Sequence, residues 1–231
     1  MRFINHRGYN VEAPENTLSA FRLSKEHGFD TIECDVTLSR EGIPMIMHDA
    51  TLERTSNGQG FAYEKTYEEL RQLDFGSWYS EDFKGEKMPS FKEFCELCDK
   101  MGYKAYVEIK NDTPMEQANV DEIIRIAKEY GLLSKITWIS FKEEYLVYVR
   151  NRLPKARLGY LAKPSADVFH RLKTENNEVF FDTNYKKLKP KTIEMAKECG
   201  AAIEVWTVNT EEALENLDPY VSGVTSNWMS K

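Results

Sequence analysis

A single barrel of eight parallel strands, each followed by a helix, is the fold class this sequence predicts, and three observations carry it. Short apolar runs of strand-like composition recur eight times, amphipathic helical patterns separate most of them, and 231 residues suit one such barrel. The runs are FINHRG, DTIECDVTL, YKAYVEIK, KITWIS, ARLGYL, EVFFD, AAIEVWTV and VSGVT. Hydrophobic residues at 41% and aromatics at 12% can fill the core, and the spacings leave little room for a second one. The expectation is one α/β domain over 1–231, a TIM-like (β/α)8 barrel.

The punctuation between runs fits helices. Pro14-Glu15-Asn16-Thr17 enters the first, Pro89-Ser90 precedes FKEFCELCDK, and Gly28, Gly102, Gly131 and Gly200 stand where helices should stop. One interval breaks the rhythm. After the second strand come PMIMHD at 44–49 and then a long polar and aromatic stretch, so 50–90 is expected as an insertion over the barrel mouth. Its aromatic segment FGSWYSEDFKGEKMP either packs the insertion down or walls a pocket. VSGVTSNW lies so close to Lys231 that the last unit should be short, its helix missing or a stub.

Lys+Arg 31 against Asp+Glu 38 gives a formal charge of −7, which offers no general attraction for nucleic acid or an anionic membrane. An anionic substrate would need locally placed cations or a metal. The N-terminal apolar run is too short for a signal peptide and no later stretch approaches a membrane span, so the expectation is a cytoplasmic protein without stable membrane insertion. Of Cys34, Cys95, Cys98 and Cys199, only Cys95-x-x-Cys98 forms a spaced pair. Its amphipathic context, with no second pair at zinc spacing, reads as buried helical thiols rather than a redox or zinc site.

Strand residues two apart share a face, so Glu33 and Asp35 in IECDV point together while their apolar neighbours face the helices. The same parity aims Glu108 and Lys110 of VEIK inward, near the strand ends where barrel active sites are built. Three carboxylates in one cavity repel unless a cation holds them, and an oxygen-only shell suits Mg2+ or Ca2+. The alternative is that Lys110 and other bases neutralise them in a polar barrel layer. His6 ends the first strand and His48 ends the run IMHD, so both can reach that mouth as acid and base for cleaving a phosphodiester. Arg7 offers a planar fork and Lys110 a compact charge for phosphate oxygens. His27 and His170 sit in helical patterns and read as surface or packing residues.

The ordered set His6-Arg7-Gly8, Pro14-Glu15-Asn16-Thr17, Gly28-x-Asp30-x-Ile32-Glu33-x-Asp35-Val36, His48-Asp49, Glu108-Ile109-Lys110 and Trp206-Thr207-Val208-Asn209 resembles the glycerophosphodiester phosphodiesterase signature over about residues 4–228. The resemblance implies a Mg2+- or Ca2+-dependent hydrolase that splits a small glycerophosphodiester into glycerol 3-phosphate and an alcohol. It implies Glu33, Asp35 and Glu108 as metal ligands, His6 and His48 as the acid and base in either order, and Arg7 and Lys110 on the phosphate. Trp206 would wall the glycerol moiety. An alternative within the same chemistry is a phospholipase-type enzyme acting on lysolipid or phospholipid head groups. Outside the signature, Glu204 shares the side of Trp206, and Asp182 ends EVFFD with Asn184 just after it; each is either a substrate contact or a hydrogen-bonded polar residue.

Overall fold

Hydrogen bonding links the eight apolar runs into a closed ring of parallel strands, as the sequence predicts. The structure is a computed structural model describing residues 1–230; Lys231, the last residue of the expected domain, lies outside them. The ring is built from β1 (Arg2–Asn5), β2 (Thr31–Leu38), β4 (Lys104–Ile109), β5 (Ile136–Ser140), β6 (Arg157–Tyr160), β7 (Val179–Asn184), β8 (Ala202–Trp206) and β9 (Val221–Ser226). Closure comes from β9 pairing with β1 along its length and from β1 meeting β2 at Asn5↔Ile32. The short β3 (Pro44–Ile46) runs antiparallel to β2, with Val36 opposite Ile46, and stands outside the ring.

Helices α1 (Leu18–Glu26), α3 (Phe91–Met101), α4 (Gln117–Glu129), α5 (Glu143–Arg152), α6 (Ala166–Leu172), α7 (Pro190–Cys199) and α8 (Glu211–Glu215) follow the ring strands, and α2 (Tyr67–Gln72) lies in the inserted segment. Their ends are set chemically. The Thr17 hydroxyl accepts from the Ala20 N–H, Ser90 and Glu93 form a reciprocal capping box, and Gly102 and Gly200 close α3 and α7 in the left-handed conformation. Among the described residues no helix follows β9, which is the short final unit expected.

Strand parity divides the interior in two. Ile32, Cys34, Val36, Val107 and Ile109 pack outward against α3 residues Phe91, Phe94, Cys95 and Cys98. Ile4, Tyr106, Ile139, Leu161 and Phe180 form a separate cluster inside the ring. Gly159 is needed there: a Cβ on it would meet the Phe180 ring at 2.4 Å and Ile139 at 2.8 Å. Towards the N-terminal end of the barrel, Glu204 is 1% exposed and accepts from Arg2 at 2.9 Å, Arg157 at 2.8 Å and Tyr106 at 2.8 Å. Of the two roles open to Glu204, it takes the hydrogen-bonded one, because its cationic partners sit at strand starts, away from the mouth.

The segment 50–90 has a small core of its own with Met45 and Met47, made of Leu52, Ala62, Leu70, Phe75 and Met88. Its aromatics pack edge-to-face on one another, Trp78 with Tyr79 and Tyr79 with Phe83, which is the packing alternative. Glu86 accepts from the Ser19 hydroxyl at 2.7 Å and anchors the segment to α1.

Two outcomes follow from this packing. Arg157→Ala strips the main partner from a carboxylate buried in the barrel, so denaturant unfolding should show a loss of about 3 kcal/mol. Burial raises the Cys34, Cys95 and Cys98 thiols above their usual range, so a disulfide reagent should modify only the half-buried Cys199 in the native protein and reach the other three after unfolding.

Candidate active site

The C-terminal ends of β1, β2 and β4 bring together residues distant in sequence. Glu33, Asp35 and Glu108 are buried, and one oxygen from each lies within 4.8 Å of the others. The β2–β4 register places Asp35 directly beside Glu108, and the inward parity places Glu33 two residues below Asp35 on the same face. Lys110 Nζ reaches Glu108 at 3.1 Å and Asp35 at 3.7 Å.

Arg7 and Asn16 both adopt φ 57°, a left-handed conformation that costs non-glycine residues about 1 kcal/mol or more. The bends aim both at the acids. The Arg7 N–H donates to Glu33 at 3.0 Å, its Nη1 to Glu15 at 2.9 Å, and its Nε lies 3.3 Å from Asp35. Asn16 Nδ2 donates to Asp35 at 2.8 Å. Gly8 follows Arg7 because a Cβ there would sit 2.7 Å from the α1 backbone at Ala20.

The charges in this cluster do not balance locally, and the carboxyls respond differently. Despite burial, the Arg7 and Lys110 charges hold Asp35 far below the usual carboxylate range. Burial, followed by the charge of Asp35, raises Glu33 well above that range and pushes Glu108 up to about 7. Glu108 Oε1 and Arg7 Nε are buried and make ionic contacts, to Lys110 at 3.1 Å and to Asp35 at 3.3 Å, without an aligned hydrogen bond. Three hard oxygen donors within 4.8 Å of one another fit a divalent cation; the neutralising role of Lys110 is present as well.

His6 Nδ1 lies 2.8 Å from Asn227 Oδ1, which also accepts from Asn10 Nδ2 at 3.3 Å. An amide oxygen only accepts, so Nδ1 carries the proton and Nε2 keeps its lone pair. Burial, then the Arg7 charge, lowers the ring to about 4, leaving it neutral at pH 7. His48 follows β3, whose antiparallel return brings it to the mouth, and its Nδ1 bonds Asp49 at 2.6 Å. Arg54 clamps Asp49 at 2.5 Å and Glu15 at 2.8 Å, so an unbroken line of ionic contacts runs from His48 to Arg7.

Part of this cluster lines one cavity of about 80 Å3, walled by His6, Arg7, Glu33, His48 and Glu108 on one side and by Ile139, Phe141, Leu161 and Trp206 on the other, with Asp182 and Thr225; Asp35 and Lys110 lie behind that wall, in contact with Arg7 and Glu108. Trp206 packs edge-on to Phe141 and donates through Nε1 to the Asp182 carbonyl at 3.3 Å. His27 instead caps α1 and stacks on Tyr9, and His170 is exposed on α6. Sequence reasoning missed the bracing residues Glu15, Asp49, Arg54, Asn10 and Asn227. Asn227 was within reach of it, since the residue after β9 must lie beside the residue after β1; the Arg54 contacts span 39 residues without any periodic signal.

The family model described as the glycerophosphoryl diester phosphodiesterase family matches residues 6–228. A glycerophosphodiester phosphodiesterase of Caldanaerobacter subterraneus is 31% identical, with 93% of this chain and 88% of that protein covered. One of Bacillus subtilis is 28% identical over 97% of this chain and 83% of its own length. Among solved structures, an Oleispira antarctica phosphodiesterase in complex with its product sn-glycerol-3-phosphate superposes with a TM-score of 0.87 at 28% identity, covering 99% of this chain and 93% of that one.

The clamp on Asp49 has a pH signature. Hydrogen bonds from Arg54 hold its carboxyl at about 2, below the ordinary value of about 3.9. A depressed folded-state value means that its stabilisation is complete above the ordinary value and is lost as pH falls through about 2. In Arg54→Ala the NMR titration of the Asp49 carboxyl should move up towards its ordinary range, and acid unfolding should begin at higher pH.

Proposed function

The chain belongs to the glycerophosphoryl diester phosphodiesterase family, and from that premise we propose that it hydrolyses small glycerophosphodiesters to glycerol 3-phosphate and an alcohol with the help of a divalent cation. The observation that carries this reading is the convergence of both histidines, Arg7, Glu33 and Glu108 on one small cavity at the C-terminal mouth, with Asp35 beside the two glutamates. Glu33, Asp35 and Glu108 are the proposed ligands, and the donor set suits Mg2+ or Ca2+. Such a cation, when bound, supplies charge neutralisation at the phosphoryl oxygens.

The remaining chemistry belongs to the side chains. Arg7, whose buried Nε makes no aligned hydrogen bond, and the Lys110 ammonium meet the phosphate oxygens and stabilise the added charge of the transition state. His6 is the proposed base: neutral, held by Asn227 through Nδ1–H, it takes a proton at Nε2 from the attacking oxygen. His48 is the proposed acid, delivering a proton to the departing alkoxide as the P–O bond breaks, while Asp49 steadies the charge on its ring. One water is consumed overall. Trp206, with Phe141 and Leu161, packs the carbon skeleton of the glycerol arm.

A lysolipid or phospholipid substrate would call for a continuous apolar rim. In the inserted segment Phe61 and Trp78 are exposed large apolar side chains, and isolated exposed aromatics are ordinary on protein surfaces, which favours the small diester. Among the described residues no helix is long and apolar enough to cross a membrane.

Release of glycerol 3-phosphate from a panel of glycerophosphodiesters tests the proposal. Turnover should require Mg2+, Ca2+ or Mn2+, stop with excess chelator, and fall by about a thousandfold or more in Glu33→Ala and Glu108→Ala. Activity that survives the chelator defeats the cation reading. His6→Ala and His48→Ala should each cost about 10²- to 10⁴-fold, with only the second recovered on a p-nitrophenyl ester, whose leaving group needs no proton.

A further inference from the structure

Asp182 is the one acid at the cavity that the chemistry above leaves without work. It lies on β7, 2% exposed, and its Oδ1 is buried without any hydrogen-bond partner. Leaving such a group unpaired costs about 1–3 kcal/mol. Packing alone does not explain it, because the same wall is otherwise apolar: Ile139, Phe141, Leu161 and Trp206 line the cavity beside it. Glu204, its register partner on β8, shows the contrast, since that carboxylate is fully engaged by Arg2, Arg157 and Tyr106. Asp182 has no such escort and lines the cavity.

The cavity has two unlike sides. Arg7, the two histidines, Glu33 and Glu108 occupy the side suited to the phosphodiester, which leaves the apolar side for an ester arm. An arm that is purely hydrocarbon would leave Asp182 unsatisfied; one carrying hydroxyls on a short carbon chain would satisfy both the carboxyl and the aromatic wall. We propose that Asp182 selects the glycerol arm, its carboxyl hydrogen-bonding a glycerol hydroxyl while Trp206, Phe141 and Leu161 enclose the carbons. This rests on the functional reading above and gives the residue that discriminates among phosphodiesters.

Charge agrees with the geometry. Burial, followed by the nearby charge of Glu204, raises the Asp182 carboxyl well above the usual range, which favours its neutral form. A neutral carboxyl both donates and accepts, as a hydroxyl does, and adds no repulsion against an anionic substrate. The tie from Trp206 Nε1 to the Asp182 carbonyl fixes the aromatic wall and the polar contact relative to each other.

Calorimetric binding of sn-glycerol 3-phosphate and of n-propyl phosphate to the cation-loaded protein tests this without depending on turnover. Wild type should prefer the hydroxylated ligand by about tenfold or more, because a site built around a hydrogen bond rejects the analogue lacking it. Asp182→Leu should erase that preference by weakening glycerol 3-phosphate alone, and Asp182→Asn should keep most of it. Asp182→Ala, smaller than either, replaces Leu if that variant does not fold. An unchanged ratio in the Leu or Ala variant, an equal loss for both ligands, or no preference in wild type overturns the assignment. Turnover of glycerophosphodiesters by wild type, measured alongside, separates the two claims. Turnover with an unchanged ratio sinks the role of Asp182 alone; no turnover with a shifted ratio sinks the functional reading alone; neither turnover nor binding sinks both.

Discussion

Concentrating negative charge at one end of a β-barrel is the constraint on which the rest of this structure depends. Two acids on β2 and one on β4 face inward, where water is scarce, and Arg7 and Lys110 supply the nearest positive charge. Two cations against three carboxyls leave a deficit. The site answers it unevenly, with Asp35 kept ionised by both cations and Glu33 and Glu108 inclined to hold protons. The strained φ of Arg7 and Asn16 is the conformational cost of bringing donors to the site from the loop before α1.

The two ends of the barrel handle buried acid in opposite ways. At the N-terminal end Glu204 is saturated by two arginines and a tyrosine hydroxyl, and the Arg157 guanidinium also lies 4.0 Å from the centre of the Phe180 ring. That arrangement closes a gap and leaves nothing free to react. At the mouth, Asp182 Oδ1 has no hydrogen bond, and Glu108 Oε1 and Arg7 Nε have only unaligned ionic contacts. Saturation serves stability at one end, and the proposed chemistry draws on the incompletely satisfied groups at the other, within a single ring of strands.

How much of this was legible in the sequence depended on how local the signal was. The strands were readable because apolar alternation has a fixed period, and the same period turned Glu33, Asp35 and Glu108 to one side. Helix entries at Thr17 and Ser90 were readable because capping is decided within three residues. The two acids outside the signature show the limit. Parity gave the side on which Glu204 lies, but not its depth along the barrel axis, which is set by the tilt of neighbouring strands and by which cations flank it. The bracing of His6 by Asn227 depends on closure of the ring, and the tie from Arg54 to Glu15 joins segments 39 residues apart; the contacts of Asp49 with His48 and Arg54 are local but follow no periodic pattern.

The line of ionic contacts from His48 through Asp49, Arg54, Glu15 and Arg7 to Asp35 joins the inserted segment to the first loop and to the strand that carries the acids. It makes the insertion a poor candidate for modular exchange. A segment grafted from another barrel, however well it packs on Met45 and Met47, would leave Glu15 short of a partner and loosen Arg7 from the far side. Substitutions in the two regions should therefore accumulate as matched sets rather than singly, so that lineages diverging in the insertion carry compensating changes in the loop before α1.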